Sequence, residues 1–178
     1  MVGLIALMVL GATGAAEAPS SPSLRHWSTR FATTNWSIAD GLPQTTVTDL
    51  AQDDRGFLWV TTLGGLVRFD GHTFKRVAAT GSEFGSLRFT AVTCVGSTVW
   101  VGTEHGRLFR IGDWGTAPPA EVTLEAGGDD PIWQLEMAHN VLVVAAGRFG
   151  AYAVDEKVTR LTRSHVDHVE IAPDGTVW

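Results

Sequence analysis

The chain has 178 residues and a formal net charge of −6, and no long run of Lys or Arg occurs in it. That balance lacks the electrostatic footprint of a nucleic-acid binder and gives little hold on anionic lipid. A hydrophobic content of 44% is too high for a disordered chain, and twenty glycines with seven tryptophans against one tyrosine ask for many tight turns and a repeated use of Trp.

Residues 2 to 16 form an apolar stretch that ends in small side chains, and the first charged residue is Glu17. Such a stretch is short for a membrane span and suits a cleaved export signal over residues 1–16, with Gly14 and Ala16 before the cut. It lacks the basic n-region, which places the true start upstream of Met1 or makes Met1 a misassigned start. A buried first strand is the alternative. Pro19, Ser20, Ser21, Pro22 and Ser23 then lie in a polar linker spanning 17–30.

From residue 31 onward the chain repeats itself. Trp59 and Trp100 stand 41 residues apart, and Val, Thr and Gly recur at the first, third and sixth positions after each. These are Val60, Thr62 and Gly65 in one copy and Val101, Thr103 and Gly106 in the other. A β-branched run closed by glycine reads as a strand entering a tight turn. Upstream, Val47 to Trp59 and Val166 to Trp178 share Val first, an aliphatic residue fourth, Gly tenth and Trp thirteenth. The shared glycines are Gly56 and Gly175, at Asp54-Arg55-Gly56 and Pro173-Asp174-Gly175, which suit a hairpin bend. Phe89 to Trp100 is one residue shorter and turns at Gly96-Ser97, and Ile132 to Val143 aligns with it, with Asn140 at the turn and Val143 in the Trp position.

A period of about 40 residues with strand–turn–strand content points to propeller blades, because no stretch after residue 30 shows helical spacing. The expected fold is all-β: a β-propeller of four-stranded blades, incomplete, with about three blades and the start of a fourth over residues 31–178. In the first blade the strands are expected near Val47–Gln52, Phe57–Thr62, Leu66–Phe69 and Thr73–Ala78. Trp59, Trp100 and Trp178 are then expected to fill the wedges between neighbouring sheets, with ligand stacking as the alternative role.

The phrases Trp36…Asp40-Gly41-Leu42-Pro43-Gln44, Gln52-Asp53-Asp54-Arg55-Gly56-Phe57-Leu58-Trp59-Val60 and Gly65-Leu66-Val67-Arg68-Phe69-Asp70-Gly71 follow one another in order. In this the chain resembles the two-component regulator propeller family, over residues 31–114 and more weakly over 132–178. It departs from the family pattern in Thr61, which stands where Gly is usual, and in the missing Trp of the third blade. The resemblance implies an extracytoplasmic, periplasmic sensor propeller without catalysis of its own. Its implied partners are a small-molecule or oligosaccharide ligand, further blades, downstream signalling domains such as a histidine kinase or diguanylate cyclase, and a second receptor in a dimer. A secreted propeller enzyme acting on glycans and a protein-binding propeller are the alternatives.

Candidate chemistry is thin. His165 and His168 flank Asp167, but residues three apart on a strand face opposite ways, which disfavours a shared metal. Asp53-Asp54 and Asp129-Asp130 lack the alternation of a calcium loop and suit turns. Cys94, the single cysteine, has no intramolecular partner for a disulfide. No catalytic, ligand-binding or metal residue is assigned, and no cofactor is expected.

Overall fold

The computed structural model describes residues 33–77, 83–113, 116–124 and 129–178. The expected signal and linker, at 1–16 and 17–30, lie outside the described residues. Among the described residues, twelve strands fall into three antiparallel sheets of four. The first blade holds β1 (Val47–Gln52), β2 (Leu58–Thr62), β3 (Gly65–Phe69) and β4 (Phe74–Arg76). The second holds β5 (Phe89–Val95), β6 (Thr98–Thr103), β7 (Leu108–Ile111) and β8 (Ala120–Val122). In the third are β9 (Gln134–Ala138), β10 (Val141–Ala145), β11 (Ala151–Val154) and β12 (Val158–Thr162). Within each sheet the strands lie in chain order. The expected fourth strand at Thr73–Ala78 is Phe74–Arg76; it starts one residue later because Asp70 closes a turn onto His72 and Thr73, and Ala78 lies outside the described residues.

A fourth hairpin begins at Val166. Its Glu170 and Trp178 exchange backbone hydrogen bonds of 3.1 and 2.9 Å, in the register in which Ala51 faces Trp59 in the first blade. The bends also agree: Gly56 N–H donates to Asp53 O and Gly175 N–H to Ala172 O, each glycine at φ 85°. That backbone lies in the left-handed region, which explains why glycine recurs there.

Apolar side chains of successive sheets interdigitate. Trp59 and Leu66 of the first blade pack with Val92, Val99, Val101, Phe109 and Ile111 of the second. Ala91, Leu108 and Trp100 of the second meet Leu135, Leu142 and Tyr152 of the third, and Val143 and Ala145 of the third meet Val169. Trp59 is 1% exposed and Trp100 half-buried, so both stand in wedges, whereas Trp178 is 79% exposed, with no sheet among the described residues against its ring. The fourth position of the inner strand shows the same dependence on a neighbour. Val92, Leu135 and Val169 are buried under the preceding blade, whereas Leu50 is 45% exposed.

Ahead of the first blade, Ser37 and Asp40 form a reciprocal cap around the 3-10 turn Ile38–Asp40. This cap is why the Asp40-Gly41-Leu42-Pro43 phrase has a fixed shape. It delivers Leu42 into a small cluster with Val60 and Val67, and Trp36 stands edge-on to Phe69 at 5.0 Å.

Tyr152 is fully buried, its hydroxyl has no protein hydrogen-bond partner, and Arg160 lies over its ring. An unsatisfied buried hydroxyl costs free energy, so Tyr152→Phe is expected to leave stability unchanged or raise it by about 1 kcal/mol. A chemical denaturation midpoint that fell by that amount would show the hydroxyl to be satisfied after all.

Candidate functional site

Every inner strand starts at one end of the blades and runs away from it. The blade-to-blade connections and the β2–β3, β6–β7 and β10–β11 turns therefore gather at that end, called here the entry end. The β1–β2, β5–β6 and β9–β10 turns lie at the opposite, exit end, and the two ends differ in chemistry.

The exit end is closed by carboxylates acting as turn caps. Asp53, buried, accepts hydrogen bonds from Arg55 N (2.9 Å), Phe57 N (3.1 Å) and the Trp59 indole Nε1 (2.9 Å). Asp70 takes the N–H groups of Thr73 and His72 and the Thr73 hydroxyl, which hold its carboxyl down at about 2. The Thr176 N–H does the same, in direction, for Asp174. The pair Asp53-Asp54 is thus divided by role, since Asp53 is a buried cap and Asp54 is exposed at the bend.

Close by, Cys94 is half-buried in β5 beside the Trp59 cluster. Burial first, and the charges of Asp53 and Asp54 second, push its thiol up to about 12. At pH 8 the thiol stays protonated, and the thiolate is the reactive form. Iodoacetamide should therefore modify folded protein far more slowly than protein unfolded in guanidinium. Equal rates in mass-spectrometric time courses would contradict this.

The entry end carries paired charges and loops from successive blades. Arg88 pairs with Glu104, His105 with Asp129, and Arg107 bidentately with Glu121 at 2.9 and 2.8 Å. The Arg107 hydrogen bond lowers the Glu121 carboxyl. Asp130, expected to serve a turn, accepts Arg148 N at 2.6 Å and lies 3.4 Å from Arg148 Nε. Among the described residues no three His, Cys, Asp or Glu side chains gather as a metal site, and His165 lies 3.9 Å from Asp167.

The inner strands join at this end through a device that repeats. Thr48 and Thr90 sit at bulges in β1 and β5, where the register slips. A bulge turns a side chain out of the ladder. The Thr48 hydroxyl donates to Phe89 O at 2.9 Å, at the start of β5, and that of Thr90 to Ile132 O at 2.7 Å, two residues ahead of β9. One position on, Asp49 accepts Val92 N and Gln134 accepts Val169 N, both at 2.8 Å. Burial raises the Asp49 carboxyl against these hydrogen bonds.

Of the repeat positions, Gly56 and Gly175 share one exit-end turn. Gly65 and Gly106 do not occupy equivalent sites. Trp59 faces Arg68 but Trp100 faces Arg110, so the β6–β7 turn is one residue longer than β2–β3. Gly65 pairs with Thr62 inside the ladder, whereas Gly106 lies in a turn in which its N–H reaches Thr103 O. The gapless sequence match over these two glycines therefore breaks in space. Sequence reasoning also missed the roles of Thr48, Thr90 and Asp53. Their signal was the recurrence of Thr at Trp−11 in the first blade and Trp−10 in the second, with the Asp six residues before Trp59.

Residues 41–64, the segment from Gly41 to the β2–β3 turn, match the model of the two component regulator propeller. That segment is similar to a two-component regulator propeller repeat. Histidine kinase P4 of Formosa agariphila is 47% identical over 53 residues, which is 30% of this chain and 4% of that protein. Among solved structures, the extracellular domain assigned to the hybrid two component system BT4673 of B. thetaiotaomicron superposes with a TM-score of 0.68. It is 20% identical, and the match covers 83% of this chain and 22% of that one. The computationally designed Ika4 protein gives a TM-score of 0.56 at 22% identity, with 78% of this chain and 92% of that one covered. At these identities the structures bear on the fold alone, and they agree with the incomplete propeller. The chain thus spans 4% of the length of the kinase it matches and 22% of the BT4673 domain.

Proposed function

We propose that this chain is part of the extracytoplasmic sensing head of a two-component-type receptor, and that it binds a ligand without transforming it. The observation that carries this reading is the regulator propeller match at residues 41–64, joined to the 47% identity with a protein named as a histidine kinase. The entry end suits such a role, because loops from several blades converge there on a rigid scaffold. Residues 1–16 act as the export signal in this reading, and downstream domains carry the output.

Two experiments test it. Alkaline phosphatase fused after residue 178 should be active in cells and β-galactosidase inactive at the same point; the reverse pattern rejects an extracytoplasmic position. In the full-length gene, removal of residues 33–178 should abolish regulated output of a target-promoter reporter. Regulation that survives the deletion rejects the sensing role.

A further inference from the structure

We propose that the outer edge of β12 (Val158–Thr162) is a docking surface for an acidic, extended peptide segment of a partner protein, which adds to the third blade as a fifth strand; this goes beyond the sensing role above. The outer strand of each blade is the free edge of its sheet, and the three edges differ. β4 and β8 are each three residues long. Arg76 of β4 also donates to Gly64 O and Gly85 O, both at 2.6 Å, and Glu121 of β8 is held by Arg107. Shortness and charge are common ways of closing an edge to pairing. β12 is five residues long.

Its backbone is set to receive a strand. Asp155 N–H donates to Lys157 O at 3.1 Å beside the pair Val154 and Val158, which makes that pair a non-hydrogen-bonded one. The alternation of the ladder then turns the N–H and C=O groups of Val158 and Arg160 away from β11, along the open edge. Between Arg160 and Thr162 the register slips by one residue, which leaves Leu161 unpaired in the ladder and 50% exposed. A groove of about 520 Å³ follows this edge from Val158 to Arg163.

Charge decides what fits the groove. Residues 157 to 163 carry Lys157, Arg160 and Arg163 and no acid. Arg160 is committed within the blade, over the Tyr152 ring and onto Phe149 O at 2.6 Å. Lys157 and Arg163 are exposed and have no ion-pair partner among the described residues. A strand of that length holds them about 20 Å apart. Two copies of this edge would bring like charges together, which disfavours a second copy of the chain. A β-branched segment with carboxylates six residues apart meets both cations while its backbone completes the ladder. Glu156, exposed in the turn before β12, opposes an acid at the Lys157 end, so Arg163 contributes more than Lys157.

The test is fluorescence anisotropy with a labelled peptide Glu-Thr-Val-Thr-Val-Thr-Glu, whose charged ends match the edge in either strand direction. It should bind the chain, and NMR hydrogen exchange should show new protection at the Val158 and Arg160 amides and none along β4 or β8. A peptide with Lys at both ends, and the acidic peptide with Pro in place of each Val, should each bind about tenfold more weakly, the first for its charge and the second because proline cannot pair along a strand. Arg163→Glu should weaken binding several-fold and Lys157→Glu about twofold, and the two together should reverse the preference toward the Lys peptide. Both side chains are exposed, so these variants keep the fold. No binding of the acidic peptide at about 1 mM, equal binding of the proline or the Lys peptide, or a preference unchanged in the double variant would each overturn the proposal. Protection at Val158 and Arg160 that grows with protein concentration alone would assign the edge to a second copy and overturn it as well.

Discussion

Asp53→Ala is expected to destabilise the fold by about 3 kcal/mol. The carboxylate is buried and receives three N–H groups, from Arg55, Phe57 and the Trp59 indole. Alanine leaves all three without an acceptor. The indole cannot turn to water, because Trp59 is 1% exposed and wedged between the first two blades. For a chain of this size the loss corresponds to a fall in Tm of about 10 °C. Asp54→Ala, one residue along and exposed, should stay within about 0.5 kcal/mol. Thermal melts of the two variants that coincided would refute the assignment of Asp53 as the cap of the Trp59 indole.

Gly102→Thr should also be costly, for a steric reason. A Cβ at Gly102 would lie 2.5 Å from Cγ2 and 2.6 Å from Cβ of Ile132, two residues ahead of β9. Overpacking of this kind costs about 1–3 kcal/mol. Position 61 of the first blade is the structural equivalent, and there Thr is favourable. Its hydroxyl donates to Asp49 O at 3.1 Å and lies 3.0 Å from the hydroxyl of the bulged Thr48. The departure Thr61 from the usual Gly is thus accommodated within its own blade, by Thr48 and Asp49 of β1. Ile132→Ala combined with Gly102→Thr should cost clearly less than the two single variants summed, since one change makes room for the other. Additive losses in a double-mutant cycle would show that the two side chains do not share that space.

Much of the blade was legible along the chain, and the reason is local. Strand alternation, the Asp-Gly bends and the spacing of Trp59, Trp100 and Trp178 depend on neighbours within about a dozen residues, so turn chemistry and period reveal them. The register of Glu170 against Trp178 repeats that of Ala51 against Trp59 because the two hairpins share one turn. Even so, the extra residue in the β6–β7 turn was hidden, since Gly65 and Gly106 match in sequence while serving different turns.

The entry end was much less legible. Trp133 aligns with Thr48 and Thr90, but nothing local says that Gly147 and Val166 will make the third joint and leave an indole in solvent. The same holds for Leu50 and Trp178, apolar residues exposed where their counterparts are buried by a neighbouring sheet. The sequence by itself determined the four-stranded unit and its turns, because these follow from short-range periodicity and backbone preference. Only the tertiary structure decided which polar groups lock one blade to the next and which aromatic ring stays open, because those outcomes depend on side chains some 40 residues away.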